Sequence, residues 1–502
     1  MQEFEEGMSR RLIVLVVCLV AVGTRAARGD DAALAQALAL QKVIGKVIAK
    51  TEPAIACILV SRSQEYLRDG QGPDKDHPGR LGKFDPDSVR PGLKDSARDV
   101  DLRKRKLDMA GAGYMPQSFG SGVVIDAAGL VLTNYHVIQD ATKIFVRLPG
   151  GKGSYANIHA ADPRSDLAVL ELIAPPLLKT IALGDADRLE KGQFVLTLAN
   201  PFAAGFRDGQ PSASWGILSN IRRRSLNHLR EEERVKPLHY YATLLQTDAR
   251  LHLGCSGGAL LNLQGEMVGL LTAVAAIQGG ETPGGFAIPI NTGMRRIIDV
   301  LKRGEEVDYG FLGVTVKEEG TNGPGVGIRS VVKGSPADVD GNLKENDVLL
   351  AVNGQPLVDV DDVFTTIGTH LAGTKVRLLV RRGPREWTAE VALAKLYVPG
   401  TRIVSSLANR PWRRGLRVDY NSLLSQQPPR LFSIPPGVLI SDIQSNSASE
   451  RAMLKTGDIV VQVNQQPVST PAAFYQALDA AAGPVELRLY DFQQEPRRVI
   501  LK

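Results

Sequence analysis

From Gly120 to about Pro289 the chain is cut into short β-patterned runs by Gly, Asp, Asn or Pro, and this punctuation constrains the fold most. The runs are Gly122–Ile125, Leu130–Thr133, Lys143–Val146, Leu167–Leu172, Phe194–Leu198, Leu244–Thr247, Met267–Thr272 and Gly285–Ile288. Such spacing points to antiparallel sandwiches or barrels and away from βαβ units. Asn291 then offers an N-cap to a helix with Met294, Ile297, Ile298 and Leu301 on one face, and Gly304 ends it. With 50 glycines and 5% aromatic residues, the composition suits a mainly β chain rich in tight turns. At 502 residues the chain exceeds one hydrophobic core, so two to four domains are expected.

The C-terminal part contains a repeat. Leu343-Lys344-Glu345-Asn346-Asp347-Val348-Leu349 resembles Leu454-Lys455-Thr456-Gly457-Asp458-Ile459-Val460, and Val352-Asn353-Gly354-Gln355-Pro356 resembles Val463-Asn464-Gln465-Gln466-Pro467. The two copies are offset by 111 residues, and each runs on into a helical stretch and a strand. Two similar α+β units follow from this, because a solenoid needs more numerous and shorter repeats. Asn346 stands where the second copy has Gly457, and both types tolerate a left-handed backbone.

Before the β-patterned region, Arg10-Arg11 precede eleven apolar residues, Leu12 to Val22, and Thr24-Arg25-Ala26 offers a small-residue cleavage site. This reads as an export signal within residues 1–30; the competing reading is an uncleaved membrane anchor. Both place the rest of the chain outside the cytoplasm. Residues 31–50 carry Leu34, Leu38, Val43 and Val47 at helical spacing, and a strand follows near Ala54 to Ser61. Residues 62–118 are charged, rich in Gly, Pro and Asp, and without apolar period, as in a long surface insertion or a partly disordered loop. A net charge of +6 is spread thin and joins no nucleic-acid-binding signature, so no nucleic-acid partner is expected. Three cysteines allow no disulfide framework, and no His, Cys or Asp spacing suggests a metal.

Three stretches carry chemistry: Thr133-Asn134-Tyr135-His136-Val137, Asp162-Pro163-Arg164-Ser165-Asp166-Leu167-Ala168-Val169-Leu170, and Gly254-Cys255-Ser256-Gly257-Gly258. A serine hydroxyl needs an imidazole to take its proton, the imidazole needs a carboxylate to fix its tautomer, and the oxyanion needs N–H donors. The order His, Asp, Ser is that of the general serine-protease template.

These boxes resemble those of the HtrA (DegP-like) serine proteases. Ala199-Asn200-Pro201-Phe202 and Gly284-Gly285-Phe286-Ala287-Ile288-Pro289 resemble two further segments of that family, and the repeated units resemble its PDZ domains. The resemblance implies a chymotrypsin-like double β-barrel over residues 31–304, interrupted by the 62–118 insertion, then PDZ domains over 308–397 and 410–502. It implies His136 as general base, Asp166 as its carboxylate, Ser256 as nucleophile, and Gly254 and Ser256 as oxyanion-hole donors. Asp162 is the weaker choice of acid. Phe311-Leu312-Gly313-Val314 matches the carboxylate-binding loop of a PDZ domain; Gly415-Leu416-Arg417-Val418 is the nearest match in the second unit, with Arg417 in place of a glycine. Unfolded polypeptides as substrates, C-terminal peptides at the PDZ domains, a homotrimer or larger homo-oligomer, a periplasmic or secreted location and no cofactor are what the resemblance implies. Arg250 stands six residues before Ser256, where basic-residue specificity would need an acid, and this argues against Lys or Arg at P1. Cys255 departs from the family's Asn, and because a thiol cannot reproduce the amide's hydrogen bonds the expectation is either a looser oxyanion turn or a hole that forms only on activation. A proteolytically silent PDZ-bearing chaperone is the alternative. Arg222 to Lys236 lies where the family has a sensor loop.

Overall fold

A computed structural model describes residues 32–111, 114–224, 237–241, 243–272, 284–317, 323–399, 403–406, 412–426, 433–490 and 497–501. The export-signal reading of residues 1–30 lies outside them.

The β-patterned region forms two closed barrels. In the first, β1 (Ile55–Ser61), β2 (Ser118–Asp126), β3 (Leu130–Asn134), β4 (Lys143–Arg147), β5 (Gly153–Asp162) and β6 (Leu167–Leu172) run in the order β5-β4-β1-β2-β3-β6, and β6 pairs back onto β5. After a short β7 (Ala182–Leu183), the second barrel takes β8 (Phe194–Ala199), β9 (Ser212–Arg223), β10 (Leu244–Thr247), β11 (Ala259–Leu261), β12 (Glu266–Thr272) and β13 (Gly285–Pro289), in the order β11-β8-β9-β10-β13-β12, closed by β11 on β12. The helix Thr292–Lys302 begins where expected: the Asn291 side chain accepts from Met294 N–H at 2.9 Å. Its Met294, Ile297, Ile298 and Leu301 pack into the core of the barrels.

β1 shows why residues 54–60 read as one unbroken apolar run. Ala56, Ile58 and Val60 face the barrel core, whereas Cys57 and Leu59 belong to a second cluster on the outside. A strand buried on both faces has no reason to alternate. The outer cluster is completed by the insertion, which is folded where it is described. Tyr66, Phe84, Val89, Leu107, Met109 and Tyr114 cover Cys57, Leu59, Phe145 and Tyr155. A capping box at Ser96 and Asp99 starts its helix Ala97–Leu107. The Lys143 ammonium, 1% exposed, donates to the carbonyls of Leu81, Gly82 and Lys83 and fixes the insertion to β4.

The leading helix, residues 32–51, differs from expectation. Of the expected apolar face only Val47 is buried, while Leu34, Leu38 and Val43 are exposed, so the helix docks by its last turns alone. By length and apolar composition the segment Ala32–Ala54 is able to cross a bilayer.

Two six-stranded sheets follow. In the first, β14 (Gly310–Phe311) leads in, and β15 (Val314–Val316), β16 (Val326–Val331), β17 (Val348–Val352), β19 (Lys375–Arg382) and β20 (Arg385–Ala392) are joined in that order. The helix Val360–Ile367 packs on it, β18 (Gln355–Pro356) pairs with β17, and β21 (Ala394–Lys395) pairs with β14. After β22 (Ile403–Val404) the second unit repeats this order with β23 (Leu416–Tyr420), β24 (Val438–Ile443), β25 (Ile459–Val463), β27 (Val485–Leu489) and β28 (Arg497–Leu501), the short β26 (Gln466–Pro467) pairing with β25, and the helix Pro471–Asp479. Asn346 (φ 71°) and Gly457 (φ 98°) are both left-handed, as the repeat requires.

Candidate active site

The first barrel brings His136 and Asp166 together at the ends of β3 and β6. Asn134, the last residue of β3, pairs with Leu167, the first of β6, so the turn before β6 lies against the single helical turn Tyr135–Ile138. Asp166 adopts φ 58°, a left-handed conformation that Asp tolerates better than most side chains. Four bonds fix it there. Its carbonyl accepts from Tyr135 N–H at 3.0 Å and from Asn134 Nδ2 at 3.2 Å; its carboxylate accepts from His136 N–H at 3.0 Å and again from Asn134 Nδ2 at 3.2 Å. His136 Nδ1 stands 2.8 Å from Asp166 Oδ2 and 3.0 Å from Oδ1. Burial drives the imidazole pKa down, but the Asp166 hydrogen bond and charge outweigh it and leave the ring above its usual value.

Asp162 goes elsewhere. It is buried, accepts from Ser165 N–H at 2.9 Å, and takes the Ser165 and Tyr309 hydroxyls. Beside it the Arg164 guanidinium lies 4.2 Å from the Tyr309 ring and donates to Gly368 O at 2.6 Å.

Ser256 reaches this rim through β2. Ser121 N–H donates to Ser256 O at 2.7 Å, and Ser121 Oγ donates to Gly254 O at 2.8 Å while accepting from Asn200 N–H at 2.8 Å. Thr133 Oγ1 donates to Ser121 O at 2.8 Å. A Cβ on Gly120 would stand 2.6 Å from Val137 Cγ1 and 3.3 Å from Ser256 O, so the His136 turn and the Ser256 loop meet over this residue. Gly257 has φ 85°, and a Cβ there would strike Ser121 O at 2.0 Å. Ser121 was not singled out from sequence; the available signal was a serine between two glycines in a strand pattern.

The turn before Ser256 has a definite orientation. Leu253 O accepts from Phe202 N–H at 2.7 Å. In a planar trans peptide the carbonyl and the following N–H point in opposite directions, so Gly254 N–H is turned away from Phe202. Among the described residues no backbone acceptor takes it. Cys255 N–H donates to His252 O at 3.0 Å, and Cys255 Sγ accepts from His252 N–H at 3.4 Å. The thiol thus supplies an acceptor within the turn. Burial raises the Cys255 pKa and keeps the sulfur protonated.

Three of the other histidines have structural settings. His252 stacks on Phe202 at 5.6 Å, His159 lies between Lys302 O and Ser405 Oγ, and His370 lies against Thr366 O. Of the expected sensor segment, residues 225–236 lie outside the described region. Arg222 and Arg224 reach across to the helix Val360–Ile367: Arg224 Nε is 2.7 Å from Asp361, and Arg222 Nη2 is 2.9 Å from Asp362.

Comparison with known proteins identifies two of the domains. Residues 120–270 match the trypsin-like peptidase domain and residues 303–381 the PDZ domain. Periplasmic serine endoprotease DegP of Salmonella typhimurium is 32% identical over 76% of this chain and 76% of its own length. Periplasmic pH-dependent serine endoprotease DegQ of Escherichia coli is 32% identical over 74% of this chain and 78% of its own. Among solved structures, an HtrA-type protease, AlgW with tripeptide, aligns over 71% of this chain and 98% of its own at 24% identity, with a TM-score of 0.49. Closed double barrels, a PDZ domain and this extent of identity place the chain in the HtrA (DegP-like) family of serine endoproteases.

Proposed function

We propose that His136, Asp166 and Ser256 form the catalytic triad of this endopeptidase, with Gly254 and Ser256 N–H as the oxyanion donors. The observation that carries the reading is the double contact of His136 Nδ1 with the Asp166 carboxylate, on the rim where Ser121 holds the Ser256 loop. Asp166 fixes Nδ1 as the protonated nitrogen and leaves Nε2 free to act as base. Ser256 Oγ attacks the scissile carbonyl, its proton passes to His136, and the oxyanion accepts from the two N–H groups. His136 then returns the proton to the leaving amine, and water hydrolyses the acyl-enzyme by the same route. The outward Leu253 carbonyl supports an oxyanion turn already formed without substrate. A fluorophosphonate is expected to label Ser256 in the native chain. Ser256→Ala abolishes peptide hydrolysis, whereas Cys255→Ala keeps most of it; the reverse result would overturn the assignment.

The substrates in this reading are unfolded or misfolded polypeptides outside the cytoplasm, in keeping with the periplasmic relatives. The first PDZ domain captures C-terminal carboxylates at Phe311-Leu312-Gly313-Val314. Gly313 has φ 90°, and a Cβ there would stand 2.2 Å from Ser335 Cβ, so the loop is built around a glycine. The second C-terminal unit is also a PDZ domain in this reading, supported by its identical strand order. Its groove differs: Val418 N–H is already taken by the Tyr475 hydroxyl at 3.1 Å, from the facing helix, and Arg417 stacks on Trp412. The exposed apolar stripe Leu34, Leu38 and Val43 supports a homotrimer or larger assembly, which analytical ultracentrifugation tests.

A further inference from the structure

Between the insertion and the first barrel lies a cleft of about 700 Å³, within the size range of ligand sites. Leu102, Leu107, Tyr114 and Met115 give it apolar walls, and Arg62, Arg105 and Lys106 line it with positive charge. Among the described residues no carboxylate lines it. Arg105 has a partner outside the lining, Asp101 at 3.0 Å, and Lys106 has Glu65 at 3.7 Å. Arg62 bonds to neutral acceptors: Nη1 donates to Ser118 Oγ at 2.5 Å, Nε to Gln139 O at 2.8 Å, and Nη2 to Val137 O at 3.1 Å. Val137 and Gln139 belong to or follow the helical turn that carries His136. The cleft therefore adjoins the His136 side of the site.

Two geometric facts connect it to the substrate path. Ser118 lines the cleft and lies three residues along β2 from Ser121, which holds Ser256. At about 3.4 Å per strand residue this is roughly 10 Å, the span of three extended residues. Because His136 must hand its proton to the leaving amine, the leaving side of the substrate departs toward His136.

We infer that this cleft is a subsite for the substrate segment from about the third residue onward on the C-terminal side of the scissile bond, and that it selects acidic residues next to apolar ones. The inference rests on the triad assignment above. Acidic side chains meet Arg62, Arg105 and Lys106, and an apolar neighbour covers Leu102 and Met115, which are 54% and 68% exposed.

The test uses the full chain and internally quenched peptides sharing one cleavable core. The core is extended on its C-terminal side by Gly-Gly-Glu-Glu-Leu or Gly-Gly-Lys-Lys-Leu, and the C-terminus is amidated so that the PDZ carboxylate loop is not engaged. The acidic extension is expected to raise kcat/KM about tenfold over the basic one, mainly through KM, as two partly exposed ion pairs would give. The preference collapses at about 1 M NaCl, where screening acts over about 3 Å. Arg105→Glu with Lys106→Glu reverses it and leaves cleavage of the unextended core unchanged. Equal rates for the two extensions, an unchanged preference in the double variant, or the same preference when the extension is moved to the N-terminal side would each overturn the proposal. Fluorescence anisotropy of both extended peptides on the Ser256→Ala chain reads the cleft independently of cleavage. Acid-selective binding there supports the subsite even if the core is not hydrolysed, a result that would count against the triad alone; equal binding overturns it.

Discussion

The imidazole of His136 is under two opposed influences. Burial favours its neutral form, and the Asp166 hydrogen bond and charge favour its protonated form and prevail. A base that must be neutral works only above its pKa, so kcat/KM falls as pH drops through a value above the ordinary imidazole figure of about 6.5. The stability linkage has the opposite sense. With its folded pKa raised, the pair's contribution is fully present below the unfolded-state value and is lost as pH rises through the folded one. Activity and this part of stability therefore move in opposite directions across the same window. Asp166→Asn should lower the acid-limb pKa and reduce kcat by about 10³- to 10⁴-fold, as loss of the orienting carboxylate does in such triads. An acid limb that stays in place in the variant would show that His136 is not the titrating base. At this scale the proposed triad can be named from sequence because each member sits in a short local pattern. Ser121 cannot, because its bonds to Gly254 and Ser256 join residues more than 130 apart and exist only once both barrels have closed. The orientation of the Leu253–Gly254 peptide was hidden for the same reason.

At the scale of the element, the insertion shows how a pattern can mislead. Residues 62–118 lack apolar period because they do not form a core of their own. Tyr66, Phe84, Leu107 and Tyr114 share one with Cys57, Leu59, Phe145 and Tyr155 on the outside of the barrel. Phe145 and Tyr155 meet edge to face at 5.0 Å, and the Tyr66 hydroxyl donates to Leu107 O at 2.6 Å. The C-terminal repeat was legible down to its left-handed turn residues, yet the two copies differ where a peptide would dock. Strand addition to an edge needs free N–H groups on that edge. Val418 has its N–H engaged by Tyr475. In a titration of the full chain with a fluorescent C-terminal peptide, one equivalent per chain is expected for the native protein. Gly313→Val should remove it, since a β-branched residue at φ 90° is strained and would collide with Ser335. Tyr475→Phe, which frees the Val418 N–H, should admit a second equivalent. Full native stoichiometry in Gly313→Val would show that the Phe311–Val314 loop is not the binding site.

Over the whole molecule, the parts are held by polar and aromatic junctions that no single segment announces. Tyr309 inserts its hydroxyl toward Asp162, four residues before Asp166, and Arg164 reaches Gly368. Arg224 meets Asp361, and Tyr241 stacks on Phe364 at 4.3 Å. The most concentrated junction is Lys395. Its side chain is 1% exposed, and its ammonium lies 2.7 Å from Asp308, 3.0 Å from Asp419 and 3.5 Å from Glu306. One cation thus joins the segment after the barrels, through Glu306 and Asp308, to β23 of the last unit, through Asp419. The strand around it is held as well, since Lys395 O accepts from Ser422 Oγ at 2.7 Å and Gln426 Nε2 at 3.0 Å. Lys395→Met retains the aliphatic stem and removes the one charge that Glu306, Asp308 and Asp419 share. Removing one partner of a buried charge cluster costs about 3–5 kcal/mol, enough to open a junction between domains. Because each unit keeps its own hydrophobic core, the loss should be local. Amide hydrogen exchange is therefore expected to accelerate over 395–397 and 416–426 and to stay native in the barrels, and proteolysis by an added enzyme should release the last unit. Lys395→Arg, which keeps the charge, should restore much of the protection. Native exchange across 416–426 in Lys395→Met would mean that the last unit is held by its other contacts, such as Ile434 N–H on Lys333 O at 2.9 Å, and that the charge cluster is not what couples it to the enzyme.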